Sequence, residues 1–116
     1  MPRIIITDDE QMNLRMTEFI LKKYGYETTK TLSGAECLNA LASGGDLVLL
    51  DVMMPELNGF ETYELIRKNG YDVPVVFLTA AEDTQTLHHA EELGVPSLRK
   101  PFKPDELLGV VRSILK

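Results

Sequence analysis

The chain has 116 residues, 44% hydrophobic and 26% charged, and its twelve basic and eighteen acidic residues give a formal charge of −6. That length suits one domain, spanning residues 1–116, with a core that needs no covalent staples. The acidic balance speaks against a nucleic-acid-binding or anionic-membrane surface, because both need basic patches.

The opening MPRIIITDDE is no signal peptide, since three isoleucines are followed at once by acids. No stretch approaches the roughly 20 apolar residues of a membrane span, and the expected location is the cytoplasm. Ile4, Ile5 and Ile6 form a short, β-branched run, which reads as a strand buried on both faces. Met12, Met16, Phe19, Ile20 and Tyr24 then recur at helical spacing as one apolar stripe, closed by Gly25. Residues 28–32 are more polar and read as an edge strand. Ser33-Gly34-Ala35-Glu36 has the form of a capping box, and Leu38 and Leu41 continue that second helix. The single cysteine, Cys37, lies in this helical pattern and reads as structural. It excludes an internal disulfide and suits a reducing compartment.

Residues 46–50 form the next buried strand. Pro55, Asn58 and Gly59 read as turn chemistry after it, and the Met53-Met54 pair reads as packing. Phe60, Tyr63 and Ile66 mark a third helix that ends at Asn69-Gly70. Residues 75–78 are a further buried strand. Asp83 is placed to cap a fourth helix with a thin stripe of Leu87, Ala90 and Leu93, whose His88 and His89 read as solvated or partner-facing. Residues 97–99 form a short fifth strand. Pro104 opens a fifth helix carrying Leu107, Leu108, Val111, Ile114 and Leu115. Five βα units in series imply a doubly wound parallel sheet with helices on both faces. Ligands of such sheets bind beyond the carboxyl ends of the strands, where the strand order reverses.

The residues at those strand ends form a coherent set. Asp8 and Asp9 follow the first strand, Asp51 the third, Thr79 the fourth and Lys100 the fifth. Three carboxylates brought together repel one another unless a positive group offsets them. A hard divalent cation with oxygen ligands does so, and Mg²⁺ suits carboxylates combined with phosphate oxygens. A carboxylate also serves as a phosphoryl-accepting nucleophile, and Lys and hydroxyl donors neutralise the transferring group. The blander readings are a helix cap for Asp8 and Asp9, a strand-end hydroxyl for Thr79 and a solvated Lys100. The five placements together outweigh them.

Through the segments IIITDDE, LVLLDVMMPELNGFE, VVFLTAA and LRKPF, the chain resembles, over its whole length, the receiver domain of bacterial two-component response regulators. The resemblance implies a flavodoxin-like five-stranded sheet in the order 2-1-3-4-5. It implies Asp51 as phosphoacceptor. It further implies Mg²⁺, with Mn²⁺ as an alternative ion, held directly by Asp9, Asp51 and the backbone carbonyl of Met53, with Asp8 helping through water. Lys100 would pair with Asp51 and later with a phosphoryl oxygen, Thr79 would hydrogen-bond the phosphoryl group, and a cis peptide would precede Pro101. The implied role is a switch that takes its phosphoryl group from a histidine kinase or a histidine phosphotransfer protein. It catalyses only its own phosphotransfer and dephosphorylation. It then addresses a protein partner or a fused output domain through the fourth helix, fifth strand and fifth helix, with neither nucleic acid nor membrane as a partner of this domain.

One departure from the family pattern affects signalling. Many receivers carry Tyr or Phe three residues before the strand-end lysine, where this chain has Ser97, in a stretch one residue shorter than usual. The signal is therefore expected to travel through the fourth helix and its flanking loops. A haloacid-dehalogenase-type phosphatase is disfavoured because Met53 stands where its second Asp belongs, and because the chain has no room for a cap domain. A degenerate receiver acting only as a binding module is disfavoured because all five key residues are present. The sequence ends just after the fifth helix, which fits either a stand-alone receiver or part of a longer regulator or hybrid kinase.

Overall fold

The computed structural model describes residues 1–80 and 84–115. Strands and helices alternate in the order β1 (Arg3–Thr7), α1 (Gln11–Lys23), β2 (Glu27–Thr31), α2 (Gly34–Leu41), β3 (Leu47–Asp51), α3 (Gly59–Lys68), β4 (Val75–Ala80), α4 (Thr84–Leu93), β5 (Ser97–Lys100) and α5 (Pro104–Ile114). The five strands form one parallel sheet in the order β2-β1-β3-β4-β5. The chain moves outward from β1 to β2, then crosses back to β3. The reversal of direction therefore lies between β1 and β3, with Thr7 opposite Leu50 at their carboxyl ends. All of this is the flavodoxin-like arrangement expected from the sequence.

Local signals set several of these boundaries. Ser33 caps α2 by accepting a hydrogen bond from the Glu36 N–H at 3.1 Å. The reciprocal bond of the expected capping box is displaced by one residue, because the Glu36 carboxylate accepts from the Leu32 N–H. A complete box appears at α3 instead, where Asn58 and Glu61 exchange side-chain-to-backbone bonds of 2.9 and 3.0 Å. Asn58, expected as plain turn chemistry, is thus a helix cap. The expected Asp83 cap of α4 lies outside the described residues.

Side-chain alternation along the strands divides the core into two layers. Ile5, Val48, Leu50, Val75 and Phe77 face α2, α3 and α4, where Cys37, Leu41, Ile66 and Ala90 cover them. Ile4, Ile6, Leu47, Leu49, Val76 and Leu78 face α1 and α5, where Leu14, Leu21, Leu107 and Val111 close the other side. Each such aliphatic side chain contributes roughly 1.5–3 kcal/mol by leaving water. The buried Cys37 is part of this packing: burial pushes its thiol pKa up, with a hydrogen bond to Thr7 opposing the shift.

The structure corrects the expected face of α1. Its buried residues are Leu14, Thr17 and Leu21. Met12, Met16 and Phe19 are 73%, 61% and 71% exposed, and Tyr24 also faces solvent; of the expected stripe, Ile20 is partly buried and packs against the core. Apolar residues occupy two stripes of this helix, and the stripe with a threonine at its centre is the weaker hydrophobic signal. Met54 is buried as expected, whereas Met53 is 65% exposed.

α4 is thinly attached. Ala90 is its one buried side chain among the described residues. His88 points to solvent within 3.9 Å of Glu92; His89 is also exposed, as expected, while one edge of its ring packs against Phe60 of α3, with centroids 4.3 Å apart and planes at 85°. Phe60 in turn packs against Phe77 at 4.9 Å, and Tyr63 meets Phe77 at 5.6 Å.

Candidate functional site

Asp8 and Asp51 emerge from the two strands that flank the reversal of the sheet. Both are buried, although an exposed residue, Asp9 or Met53, comes within two positions of each along the chain. One carboxylate oxygen from each of Asp8, Asp9 and Asp51 lies within 4.8 Å of the other two. Lys100, at the end of β5, reaches into the group with its Nζ 3.1 Å from Asp8 Oδ2 and 3.2 Å from Asp51 Oδ2. Four of the five side chains expected at the site are therefore in mutual contact or within one cation's reach.

Backbone donors complete the arrangement. The Met53 N–H donates to Asp51 Oδ1 at 3.2 Å, and the Glu10 N–H donates to Asp8 Oδ1 at 3.0 Å. The second bond closes a local turn two residues long; α1 itself starts from Glu10 with no side-chain cap, so the blander cap reading of Asp8 is not what the structure shows. Neither donor is legible in the sequence, because any residue type supplies an N–H. Gly59 is a further unanticipated contributor. A Cβ there would stand 2.6 Å from the Asp51 carbonyl oxygen and 2.7 Å from Val52 Cα, both fixed backbone atoms. Only glycine lets α3 start this close beneath the loop that carries Asp51, and the Gly59 N–H bonds the Val52 carbonyl at 2.9 Å.

Thr79 lies at the carboxyl end of β4, one residue beyond Leu78, which is the register partner of Asp51. It is fully buried. Its Oγ1 has no hydrogen-bond partner among the described residues. A buried hydroxyl left unpaired costs about 1–3 kcal/mol. Such a group is a donor awaiting an acceptor. The expected cis peptide between Lys100 and Pro101 is present.

The electrostatics follow from burial. Desolvation, opposed by Lys100 and reinforced by the neighbouring Asp8 charge, pushes the Asp51 pKa up to about 6. Burial alone would pull Lys100 down, but the two carboxylates outweigh it and hold its pKa above the ordinary value. The lysine charge thus offsets the carboxylate cluster only in part. The donor set fits a hard divalent ion: the oxygens are carboxylate, they converge, and one of the three acids is open to solvent for ion entry. Their oxygens, all within 4.8 Å of one another, are close enough to share one such ion.

A small cleft of about 60 Å³ adjoins the site on the α1 side, with Asp8, Asn13, Met16, Lys100, Pro101 and Phe102 in its wall. The exposed Met16 links this cleft to the apolar outer face of α1.

Comparison with known proteins adds independent findings. The family model described as the response regulator receiver domain matches residues 4–112. The response regulator SaeR of Staphylococcus aureus is 33% identical over 116 residues, covering 99% of this chain and 51% of that protein. The chain thus spans about half the length of the curated relatives it matches. Among solved structures, a response regulator receiver protein from Burkholderia phymatum is 32% identical with a TM-score of 0.87, over 99% of this chain and 95% of that one. The Vibrio cholerae chemotaxis protein CheY4 is 27% identical with a TM-score of 0.89, over 98% of both chains.

Proposed function

Because the chain belongs to the response regulator receiver family of two-component signalling, we propose that it is a switch set by phosphorylation of Asp51. The observation that carries this reading is the meeting of Asp8, Asp9 and Asp51 with Lys100 at the reversal of the sheet, beside a buried threonine hydroxyl with no partner among the described residues.

Asp51 is the nucleophile. One of its carboxylate oxygens forms a bond to phosphorus as the bond from phosphorus to a donor histidine nitrogen breaks, and the imidazole leaves with that electron pair. Lys100 holds the Asp51 carboxylate in place and then pairs with a phosphoryl oxygen. Thr79 donates its hydroxyl to another phosphoryl oxygen, satisfying a group that has no partner among the described residues. The Met53 N–H orients the attacking carboxylate. Asp8, Asp9 and Asp51 are the side chains that would hold Mg²⁺, with the Met53 carbonyl as a backbone ligand. When bound, the ion neutralises charge on the carboxylates and on the transferring group. Self-catalysed transfer and hydrolysis are the only chemistry in this reading, with no separate substrate turned over.

The donor is a histidine kinase or a histidine phosphotransfer protein, and the exposed Met16 in the wall of the cleft, with Met12 and Phe19 exposed on the same helix, gives it an apolar surface to rest on. The output surface is α4, β5 and α5, addressed to a protein partner or to an attached output domain, with residues 1–116 acting as one receiver unit in the cytoplasm. No helix among the described residues is long and apolar enough to cross a membrane.

The test is incubation with acetyl phosphate and Mg²⁺, read by intact-mass spectrometry. The wild type should gain one phosphoryl group, the gain should vanish with a chelator, and Asp51→Asn should not be modified. No gain in the wild type would favour a pure binding module, and sustained turnover of a phosphomonoester would favour a phosphatase.

A further inference from the structure

We propose that the edge-to-face stack of Phe77, Phe60 and His89 is the mechanical link between the Asp51 site and α4. The inference rests on the receiver reading and names the route by which that site reaches the surface.

The stack begins at the site. Phe77 lies two residues before Thr79 on β4, so both side chains emerge on the same side of the sheet. Any displacement of β4 that brings the buried Thr79 hydroxyl to an acceptor also moves the root of Phe77. Phe77 is itself fully buried and packs against the Phe60 ring at 4.9 Å and 69°. Phe60, half-buried at the start of α3, passes the contact on to His89 at 4.3 Å and 85°. Ser97 is the register neighbour of Phe77 on β5. Its hydroxymethyl group is too small to carry a ring contact to α4, so the ring contact reaches that helix from α3.

The stack has leverage because α4 buries little of itself. Ala90 is its one buried side chain among the described residues, and an element with so little burial opens locally at low free energy. A well-placed edge-to-face pair is then a sizeable part of what holds it. Close-packed rings also shift between discrete arrangements instead of deforming smoothly, which suits a two-position element.

Two measurements test the proposal. The first is amide hydrogen exchange of the free protein. His89→Ala should speed exchange of the amides over residues 84–93 by about five-fold, the equilibrium worth of one edge-to-face pair. Phe60→Leu should do the same, His89→Phe should restore the slow rates, and β1 should be unaffected. A purely local effect would run the other way, because alanine is the better helix former. The second adds beryllofluoride with Mg²⁺ and follows bound fluoride by fluorine-19 NMR alongside the amide resonances of residues 84–93. In the wild type those resonances should move on binding, and in His89→Ala and Phe60→Leu they should move far less at equal occupancy. Unchanged exchange in both variants, or full displacement of α4 in both at equal occupancy, overturns the link. If the wild type binds no beryllofluoride, the receiver reading fails, and the exchange rates alone still decide whether the stack holds α4.

Discussion

Asp51 combines two demands that pull in opposite directions. It must be ionised to attack, and it is buried beside another carboxylate. Its pKa of about 6 records that tension, against an ordinary value of 3.8. Without a divalent ion, the folded protein therefore binds a proton at Asp51 that the unfolded chain has already released, between about pH 4 and pH 6. The Asp51 contribution to stability is present in full below that window and is lost as pH rises through about 6. Asp51→Asn should consequently stabilise the ion-free protein at pH 7 by on the order of 1–3 kcal/mol, with the gain shrinking toward pH 4. Urea denaturation of both proteins across that range measures the difference. Mg²⁺ binding has the opposite dependence: it requires the ionised carboxylate and should weaken as pH falls through about 6, by up to roughly tenfold per unit. Titration calorimetry at pH 5 and pH 7.5 reads it directly. Thr79→Val removes a buried hydroxyl that has no partner among the described residues, so it should leave stability unchanged or raise it by about 1 kcal/mol. It should at the same time slow phosphorylation by acetyl phosphate, and loss of stability in this variant would mean the hydroxyl is already bonded.

At the level of the helices, α1 and α3 show how packing overrides composition. Met12, Met16 and Phe19 give α1 its strongest apolar pattern, yet they face water, and the helix is held by Leu14, Thr17 and Leu21. Phe19→Glu should therefore change unfolding free energy by no more than about 0.5 kcal/mol, whereas Leu21→Ala should cost about 2–5 kcal/mol through the cavity it leaves. Denaturant midpoints of the two variants separate the faces, and a large loss with Phe19→Glu would return the core to the Met12 stripe. The start of α3 is fixed by Gly59, whose α-hydrogen side meets the Asp51 and Val52 backbone. Gly59→Ala should cost about 1–3 kcal/mol, and it should lower Mg²⁺ affinity as well, because the displaced loop carries Asp51 and Met53. The element order, the βα alternation, the cap at Ser33 and the helix start at Pro104 were legible in the chain, since each is written in a local period or a local residue choice. The face of α1 was not, because two stripes competed and only the sheet it packs on decides between them.

For the whole molecule, a single parallel sheet gathers side chains that are up to 92 residues apart in sequence, as with Asp8 and Lys100. Ligation at that meeting point should stabilise the whole fold, because the unfolded chain has no such site. Mg²⁺ at about one hundred times its dissociation constant should add about 2.7 kcal/mol, seen as a rise in the thermal midpoint that Asp51→Asn abolishes. The sequence by itself determined the parallel α/β class, the identity of the five strand-end residues and the family. Continuous apolar runs mark doubly buried strands, and the residue just after a buried strand must lie at its carboxyl end. The tertiary structure decided the features that depend on distances between elements. It placed the Lys100 charge against both Asp8 and Asp51, left the Thr79 hydroxyl buried without a partner among the described residues, and made glycine the only residue type that fits at position 59 beneath Asp51. It also turned the Met12 stripe outward and seated His89 on Phe60. Contacts of this kind are set by how helices and strands pack, and no local pattern in the chain encodes them.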